Sequence, residues 1–464
     1  MAAPAAAQED ARLLFTGDIM LARQVETQLE SAGASPWDKT GDLLKQAAFV
    51  MGNFEGAAGP SSACAGKTPC FAVNPKYIPL LREAGFSAMG IENNHALDLG
   101  PAGRADTKRA LMEAGVAPVD FEGSPWFFRA GNKVLAVIAA DDTGATASKV
   151  LLRRKLRLAK ALGNVTAVSV HWGQELSGWL TPRQLELSGW LSANGADLLA
   201  GHHPHVPEAA RCVNGRPVFF SLGNHVFDQK YPAAKQGVIA DCLANETAMS
   251  CSALKTQTPS GSFFPSIIGP DSEAGDELKK CPVPLRLALA VGGYELRPEL
   301  ENGHASAGKI ALRAFRDGRP LWRTPAKKLF SAQKMTDASG KEMLLLLEEH
   351  YSPLDKEYAP RPYVYEVTVN GLNAKWRGTA LAWPLLDAVL LDSSDGQFLC
   401  ALHRGDSFLA PEPSAKKTRT AAYIWNGFGF SGTEDPAKAK DCAAYYELEP
   451  PAGQAGEKVG EKLK

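Results

Sequence analysis

The sequence lacks several patterns that mark common protein classes. Its 464 residues contain no apolar run of about 18 residues, the length that a helix needs to cross a bilayer. The formal charge is -1 at pH 7, and no block of like charge stands out. The chain therefore has no basic field, and no nucleic-acid partner is expected. A Gly-x-Ser-x-Gly elbow is also missing, which disfavours a serine hydrolase of the α/β type.

The eight cysteines include no C-x-x-C pair, which disfavours thiolate zinc sites and thioredoxin-like redox motifs. Six of them precede residue 285 and two follow residue 395, so each half holds an even number. Even numbers favour disulfides formed in an oxidising compartment, and scattered buried thiols are the alternative. We expect Cys400 to pair with Cys442 and the other six to pair among themselves, Cys64 and Cys70 being the nearest candidates.

Residues 1–8 form an Ala- and Pro-containing run with neither a basic region nor a long apolar stretch. A run of this kind often follows the cleavage site of an export signal. Met1 is therefore interpreted as a start added to a mature chain. We expect an exported protein with a periplasmic or extracellular location.

The first half of the chain has the pattern of an α/β domain, which we assign to residues 12–280. Short apolar runs alternate with helical spacing up to about residue 227, and this alternation predicts a largely parallel sheet. Helices are expected over residues 77–84, 103–114 and 183–193. Strands are expected over residues 13–16, 49–52, 87–91, 134–140, 167–170, 196–200 and 217–221.

The second half reads as strands and turns, and predicts a β-rich domain of unknown role over residues 285–450. Turn pairs such as Asn370-Gly371 and Asp395-Gly396 separate its apolar runs. A propeller-like set of hairpins would fit this pattern. Residues 451–464 are expected to be a disordered tail.

Histidines and carboxylates follow the ends of the predicted strands in the first half. Six of the nine histidines lie between His95 and His225. Ligands bind at the carboxyl edge of an open α/β sheet, and a His-x-His pair there indicates Zn, Fe, Mn or a similar ion. A single histidine at this edge is more often an ordinary loop or core residue. The polar groups are, in chain order, Gly17-Asp18, Asn53-Phe54-Glu55, Asn93-Asn94-His95, His171-Trp172-Gly173, Gly201-His202-His203-Pro204-His205 and Ser221-Leu222-Gly223-Asn224.

In this order the motifs resemble those of CapA-type poly-γ-glutamate capsule biosynthesis proteins, members of the calcineurin-like metallophosphoesterase superfamily. The resemblance covers residues 13–228, roughly half of the chain. It implies a metallophosphoesterase-like layered sheet domain with helices, and a centre for two divalent metal ions, Mn, Fe or Zn. By the same resemblance, the ligands are Asp18 and His205 for the first metal, Asn94, His171 and His203 for the second, and Glu55 for both, while His95 is the acid that protonates the leaving group.

Two features depart from the superfamily pattern. A histidine usually stands two residues after the first aspartate, but this chain has Met20, so the first metal would have fewer protein ligands. Neighbouring histidines also leave open whether His202 or His203 is the ligand. His225 is expected to be structural or to face the substrate.

Two functions of different classes are compatible with these residues. The first is a metal-dependent hydrolase of capsule or envelope polymer metabolism, in which a dinuclear metal-activated water attacks a phosphoester or a γ-glutamyl amide. The second is a non-catalytic envelope protein of the same fold that supports polymer synthesis or export, and Met20 favours it. The polymer is implied by the resemblance, whereas the residues indicate only water activation by two metals.

Overall fold

The computed structural model describes residues 10–33, 35–64, 66, 68–144, 147–300, 304–305, 308–352, 356–378, 381, 385–405 and 418–448. The contacts between residues divide the chain into two units. Unit 1 comprises the described residues of Met1–Leu287 and Leu300–Ala307, and unit 2 those of Ala288–Glu299 and Gly308–Lys464. The predicted disordered tail lies outside the described residues. Among the helices that are described, none is long and apolar enough to cross a membrane.

Up to Leu287, strands and helices alternate along much of the chain. The helices are α1 (Arg23–Ala32), α2 (Gly41–Lys45), α3 (Pro79–Ala84), α4 (Gly100–Glu113), α5 (Lys149–Leu162), α6 (Pro182–Ala193) and α7 (Ser272–Leu278). The strands are β1 (Ala11–Ile19), β2 (Phe49–Phe54), β3 (Ala57–Ala58), β4 (Ala72–Val73), β5 (Ala88–Gly90), β6 (Ala117–Val119), β7 (Trp126–Ala130), β8 (Lys133–Asp141), β9 (Val165–His171), β10 (Leu198–His202), β11 (Ala210–Val213), β12 (Arg216–Phe219), β13 (Asn224–Val226), β14 (Gln236–Ala244), β15 (Ala248–Gln257), β16 (Ser266–Pro270) and β17 (Val283–Pro284).

After Leu287 most of the described residues are in strands, which are followed by helix α8 (Pro436–Tyr445). One of these strands, β20, belongs to unit 1, where it pairs with β7. The strands are β18 (Leu289–Val291), β19 (Tyr294–Pro298), β20 (His304–Ala305), β21 (Leu312–Arg316), β22 (Arg319–Arg323), β23 (Leu329–Thr336), β24 (Glu342–Ser352), β25 (Glu357–Thr368), β26 (Gly371–Arg377), β27 (Leu385–Ser393), β28 (Gly396–Arg404), β29 (Thr418–Trp425) and β30 (Phe430–Thr433).

Unit 1 is an α/β structure. It contains two large sheets, whereas the sequence predicts one largely parallel sheet. In the first sheet β1, β2, β5 and β6 run parallel, and β14, β15 and β16 extend it in antiparallel pairs. In the second sheet β8, β9, β10 and β12 run parallel, with β7 and β11 antiparallel to their neighbours. The parallel strands form one side of the first sheet, up to the edge strand β6, and the middle of the second sheet, between β7 and β11.

Side chains of β1 show how the two sheets are layered. Leu13 and Phe15 lie in an apolar cluster that also contains Val137 of the second sheet. Leu14, between them, lies in a different cluster with Val25 of α1. Successive side chains of a strand point to opposite faces of its sheet. The first sheet is therefore covered by the second sheet on one face and by helices on the other, which explains the continuous apolar runs.

Unit 2 is rich in β-structure. Its described strands form three four-stranded antiparallel sheets, in the orders β18-β19-β21-β22, β23-β24-β25-β26 and β27-β28-β29-β30. The predicted turns at Asn370-Gly371 and Asp395-Gly396 connect β25 to β26 and β27 to β28. An apolar cluster joins the last two sheets through residues such as Leu345 and Leu399.

All eight cysteines are paired, and no cysteine is free. The disulfides are Cys64–Cys70, Cys212–Cys281 and Cys242–Cys251 in unit 1, and Cys400–Cys442 in unit 2. Their Cα atoms lie 4.0 to 6.0 Å apart, below the limit of about 7 Å beyond which two cysteines cannot be bridged. The predicted pairing within each half is confirmed, including Cys64 with Cys70 and Cys400 with Cys442.

Candidate metal centre

Polar side chains from both large sheets of unit 1 meet at the carboxyl ends of the parallel strands. Asp18 lies near the end of β1, and Glu55 directly follows β2. In the second sheet, β9 ends at His171 and β10 at His202. His171 and His202 are register partners, as are Asp18 and Asn53. The register thus brings these side chains to one edge of the layered sheets.

Two glycines allow the strands around this edge to approach closely. A Cβ atom on Gly17 would lie 1.9 Å from the carbonyl oxygen of Gly223. A Cβ atom on Gly201 would lie 1.9 Å from the carbonyl oxygen of Phe220. No side chain is possible at such distances, so both positions require glycine. The close approach lets the N–H of Asp18 donate to the Gly223 carbonyl at 2.9 Å, which fixes Asp18 at the strand end.

The first group of metal-donor atoms comes from Asp18, Glu55 and His171. One ligand atom of each lies within 4.8 Å of the other two, and all three residues are buried. Asn53 holds the carboxylates in place: its amide donates to Oδ1 of Asp18 at 2.9 Å and to Oε2 of Glu55 at 3.4 Å. Oδ1 of Asn94 joins the group, 2.9 Å from Nε2 of His171. This donor group could hold a metal ion.

The second donor group consists of Glu175, His203 and His205, again with ligand atoms within 4.8 Å of one another. The two histidines are buried and Glu175 is exposed. His205 joins this group to the first, because its Nδ1 lies 3.2 Å from Oδ2 of Asp18 and its Nε2 lies 3.4 Å from Oε1 of Glu55. The two groups therefore form one centre.

The turn after β10 gives His202 and His203 different contacts. Nδ1 of His202 lies 3.3 Å from Oδ1 of Asp18. The N–H of His203 donates to Oδ2 of Asp18 at 3.3 Å, and its ring centroid lies 4.8 Å from that of His171. His203 and His205 have φ values of 95° and 60°, in the left-handed region, which costs roughly 1 kcal/mol or more for each non-glycine residue. Such strain is typical of functional sites.

The buried carboxyl groups of the centre have opposite pKa shifts. Burial would raise the pKa of Asp18, but hydrogen bonds and charge from His202 and His205 hold it well below its ordinary value. The pKa of Glu55 is raised well above its ordinary value by burial and by nearby negative charge, that of Asp18 foremost. A carboxyl group that holds its proton for this reason releases it when a cation binds.

The imidazoles of the centre also differ in charge. Burial lowers the pKa of His171 well below its ordinary value, and it lowers the pKa of His203 as well. Burial opposes protonation of His205, yet the negative charges of Glu55 and Asp18 raise its pKa to about 9. Neutral imidazole is the form that binds metals, and the mixture of nitrogen and carboxylate donors suits Mn, Fe or Zn. The residues present therefore fit the metals that the sequence implies.

His95 lies beside the donor groups and has different partners. Its Nδ1 lies 2.8 Å from Oδ2 of Asp98, and its ring stacks on Phe71 with 3.8 Å between centroids. A carboxylate only accepts, so Nδ1 donates to Asp98. Nε2 is left on the side of the centre, 4.0 Å from Oε1 of Glu55. This geometry suits a proton carrier.

Two other residues singled out in the sequence lie away from the donor atoms. Met20 is buried in the apolar cluster that contains Val25, and its sulfur accepts the N–H of Ala22 at 3.1 Å. His225 is buried but belongs to neither donor group, and burial lowers its pKa to about 3. Position 20 therefore adds packing to the core of unit 1.

The structure brings the seven predicted site residues together in one region: Asp18, Glu55, Asn94, His95, His171, His203 and His205. Sequence reasoning missed Glu175 and Asp98, and it treated Asn53 only as part of a motif. The signal for Asp98 is its position three residues after His95. Glu175 stands four residues after His171. The sequence around it has no periodicity, so it does not indicate where the Glu175 side chain points.

Comparison with known proteins identifies relatives of this half of the chain. Residues 12–124 and 122–229 match the family model described as bacterial capsule synthesis protein PGA_cap. The chain is 29% identical over 248 residues to the PGA biosynthesis protein CapA of Bacillus subtilis (strain 168). This match covers 48% of this chain and 65% of that relative. It is 28% identical over 270 residues to the capsule biosynthesis protein CapA of Bacillus anthracis, covering 51% of this chain and 65% of the relative. The chain thus spans 65%, slightly less than two thirds, of the length of each of these relatives.

Among solved structures, a hypothetical protein from Thermus thermophilus is 19% identical and covers 68% of this chain and 97% of its own. Its TM-score is 0.33, which is too low to support any argument about fold or function.

Proposed function

We propose, from the match of residues 12–229 to the family model of bacterial capsule synthesis protein PGA_cap, that the chain is a metal-dependent hydrolase of capsule or envelope polymer metabolism. The observation that carries the proposal is the convergence of two carboxylates and three imidazoles in one centre. The names of the Bacillus relatives, which refer to capsule and PGA biosynthesis, support a polymer of the poly-γ-glutamate type.

We assign two divalent cations, Mn, Fe or Zn, to the centre. When bound, two such ions would activate a water molecule for attack and stabilise negative charge on the attacking and leaving oxygens. The residues that would hold them are Asp18 and His205 for one ion, Asn94, His171 and His203 for the other, and Glu55 for both.

His95 would donate the proton that the leaving group needs. Its hydrogen bond to Asp98 orients the ring and leaves Nε2 on the side of the centre, the position from which a proton would be donated. General acids of this kind contribute about 10² to 10⁴-fold in rate. Stacking on Phe71 restricts the ring to this orientation.

Arg23 would bind an anionic group of the substrate. Its Nε donates to Oδ2 of Asp228 at 2.9 Å, and its guanidinium carbon lies 4.9 Å from the centroid of Phe71, the ring that stacks on His95. Asp228 also accepts from a terminal nitrogen of the guanidinium, and the Arg23 side chain as a whole remains 41% exposed. A guanidinium held in place binds phosphate or carboxylate through paired hydrogen bonds. Both a phosphoester and a glutamate polymer carry such groups.

The four disulfides support a location outside the reducing cytoplasm. We place the activity in the periplasm or outside the cell, where the capsule polymer is assembled or trimmed.

Metal analysis of the purified chain, combined with activity assays, tests the proposal. We expect close to two equivalents of transition metal per chain. Hydrolysis of 4-nitrophenyl phosphate, bis(4-nitrophenyl) phosphate or γ-glutamyl-4-nitroanilide should stop on chelation and return when Mn²⁺ or Zn²⁺ is added back. A chain that binds no metal and cleaves none of these compounds would support the alternative, a non-catalytic envelope protein. The one observation that favours this alternative is the apolar burial of Met20.

A further inference from the structure

The loop between β9 and α6 carries a third carboxylate to the centre. Glu175 has a carboxylate oxygen within 4.8 Å of ring nitrogens of both His203 and His205. The loop is fixed beside the histidine turn, because the N–H of Leu176 donates to the carbonyl oxygen of Pro204 at 2.8 Å. The position of Glu175 is therefore set by a backbone contact between the two segments that bear the donors.

The loop is fixed at its other end as well. Thr181 is the N-cap of α6, where its side chain accepts the N–H of Gln184 at 3.2 Å, and the Gln184 side chain accepts the Thr181 N–H at 2.8 Å. A capping box of this kind defines where the helix begins. Glu175 directly precedes Leu176 and stands four residues after His171, the last residue of β9, so the strand end and the Leu176 hydrogen bond hold it near the histidines.

The His203 side of the centre also has an unused donor atom. Nδ1 of His203 is buried and has no hydrogen-bond partner among the described residues. Leaving a buried polar atom without a partner costs about 1 to 3 kcal/mol, unless a group absent from the chain occupies the position. Nδ1 of His203 and the carboxylate of Glu175 are complementary to the same kind of group, a cation.

Charge gives a second reason for a third carboxylate. Two divalent ions bring four positive charges into a buried space, where Asp18 and Glu55 supply two negative ones. Uncompensated charge is costly in such surroundings.

We propose that Glu175 is a further metal ligand, on the His203 and His205 side of the centre, where it supplies the third carboxylate. This inference rests on the proposed function, since it presupposes that the centre binds metal. Glu175 is exposed, whereas Asn94 is half-buried and the other proposed ligands are buried, so Glu175 is the ligand on the solvent side. A cation entering the centre would meet this carboxylate first.

Titration of the chelator-stripped full chain with Mn²⁺, followed by calorimetry and by electron paramagnetic resonance of bound Mn²⁺, tests the inference. The parent chain should bind two ions. Glu175→Gln, which removes the charge and keeps the size, should retain one ion with parent affinity and bind the other at least tenfold more weakly. The matched control is Glu186→Gln, an exposed glutamate of α6 that pairs with Lys149 and Arg183 and should bind as the parent does.

The outcomes separate this inference from the proposed function. If the parent binds two ions and Glu175→Gln binds two with unchanged affinities, Glu175 is not a ligand and the metal centre stands without it. If the parent binds no Mn²⁺, Zn²⁺ or Fe²⁺, both proposals are overturned. Because Glu175 is exposed, the metal-free variant should melt at the parent temperature, which excludes misfolding as the cause of weaker binding.

Discussion

Asp98 accepts a hydrogen bond from Nδ1 of His95 at 2.8 Å, while Nε2 of the same ring lies 4.0 Å from Oε1 of Glu55. Oδ2 of Asp98 also accepts the N–H of Phe71 at 2.7 Å, so the ring that stacks on His95 and the carboxylate that orients it are tied together. His95 is thus held on two sides, with one nitrogen on the side of the metal-donor groups.

Replacing His95 should damage turnover and leave the metals in place. We expect His95→Ala to lose at least roughly two orders of magnitude in kcat on an ester with a poor leaving group, because the acid contributes about 10² to 10⁴-fold there. On 4-nitrophenyl esters, whose leaving group needs no proton, the loss should be much smaller. Parent rates on both esters, at full metal content, would rule out the acid role.

Replacing His171 should have the opposite signature. His171 is buried within the first donor group, so His171→Ala should lower the metal content measured in the purified chain. A ligand that binds only the folded state stabilises it, by about 2.7 kcal/mol at a hundred times its dissociation constant. Mn²⁺ should therefore raise the melting temperature of the parent chain and raise that of His171→Ala less. Equal shifts in the two proteins would contradict the ligand assignment.

Arg23 should affect substrate binding more than turnover. We expect Arg23→Ala to raise KM at least tenfold for an anionic substrate, with a smaller effect on kcat, because its guanidinium is outside the metal-donor groups. Arg12→Ala is the matched control, since Arg12 pairs with Asp241 through Nε at 2.8 Å but lies at the opposite end of β1 from Asp18. Similar KM values for the two variants would remove Arg23 from the substrate site.

Buried His225 should make unit 1 sensitive to acid. Its pKa is about 3 in the folded chain and about 6.5 when unfolded, so between these values the unfolded state binds more protons and stability falls as pH falls. Urea titrations with chelator present should show the parent losing about 2 kcal/mol more than His225→Leu between pH 7 and pH 5. Neither ring nitrogen of His225 has a hydrogen-bond partner among the described residues, so leucine leaves no group unpaired. The same pH dependence in both proteins would show that His225 is not responsible.

The disulfides of unit 1 should differ in their contribution to stability. Cys212 and Cys281 are 69 residues apart, whereas Cys64 and Cys70 are 6 apart. By loop entropy, Cys212→Ser/Cys281→Ser should cost about 4 kcal/mol and Cys64→Ser/Cys70→Ser about 2 kcal/mol. Urea unfolding of the two double variants measures the difference. A larger cost for the shorter loop would mean that folded-state contacts, and not chain entropy, determine the contribution.

The strands of unit 1 could be predicted because their apolar runs are buried on both faces, as Leu13 to Phe15 are in β1. The second large sheet could not, since nothing in an apolar run states which of two sheets it joins. Helix α1 has no start signal: its N-cap is Ala22, without a capping hydrogen bond, and Arg23 has a φ of 55°. Helix α5 does have a capping serine, Ser148, but its basic residues obscure the apolar stripe.

The candidate centre could be predicted to the extent that its residues follow strand ends, where the fold determines their location. Glu175 and Asp98 lie in turns and loops, and their positions depend on contacts such as that between Leu176 and Pro204. Such contacts have no counterpart in local sequence. The sequence also leaves open whether His202 or His203 is the ligand. The backbone conformation of the turn after β10 decides which of the two rings faces the other metal-donor groups, and local sequence does not determine that conformation.

The centre takes Asp18 and Glu55 from the first large sheet and His171, His203 and His205 from the second. A chain in which a single sheet has formed therefore holds only part of the donors, and its affinity for a cation is correspondingly low. If the centre binds metal as proposed, metal uptake should be a late event of folding that follows docking of the two sheets. The rate at which a refolding chain binds Mn²⁺ would accordingly report the rate at which the two sheets dock.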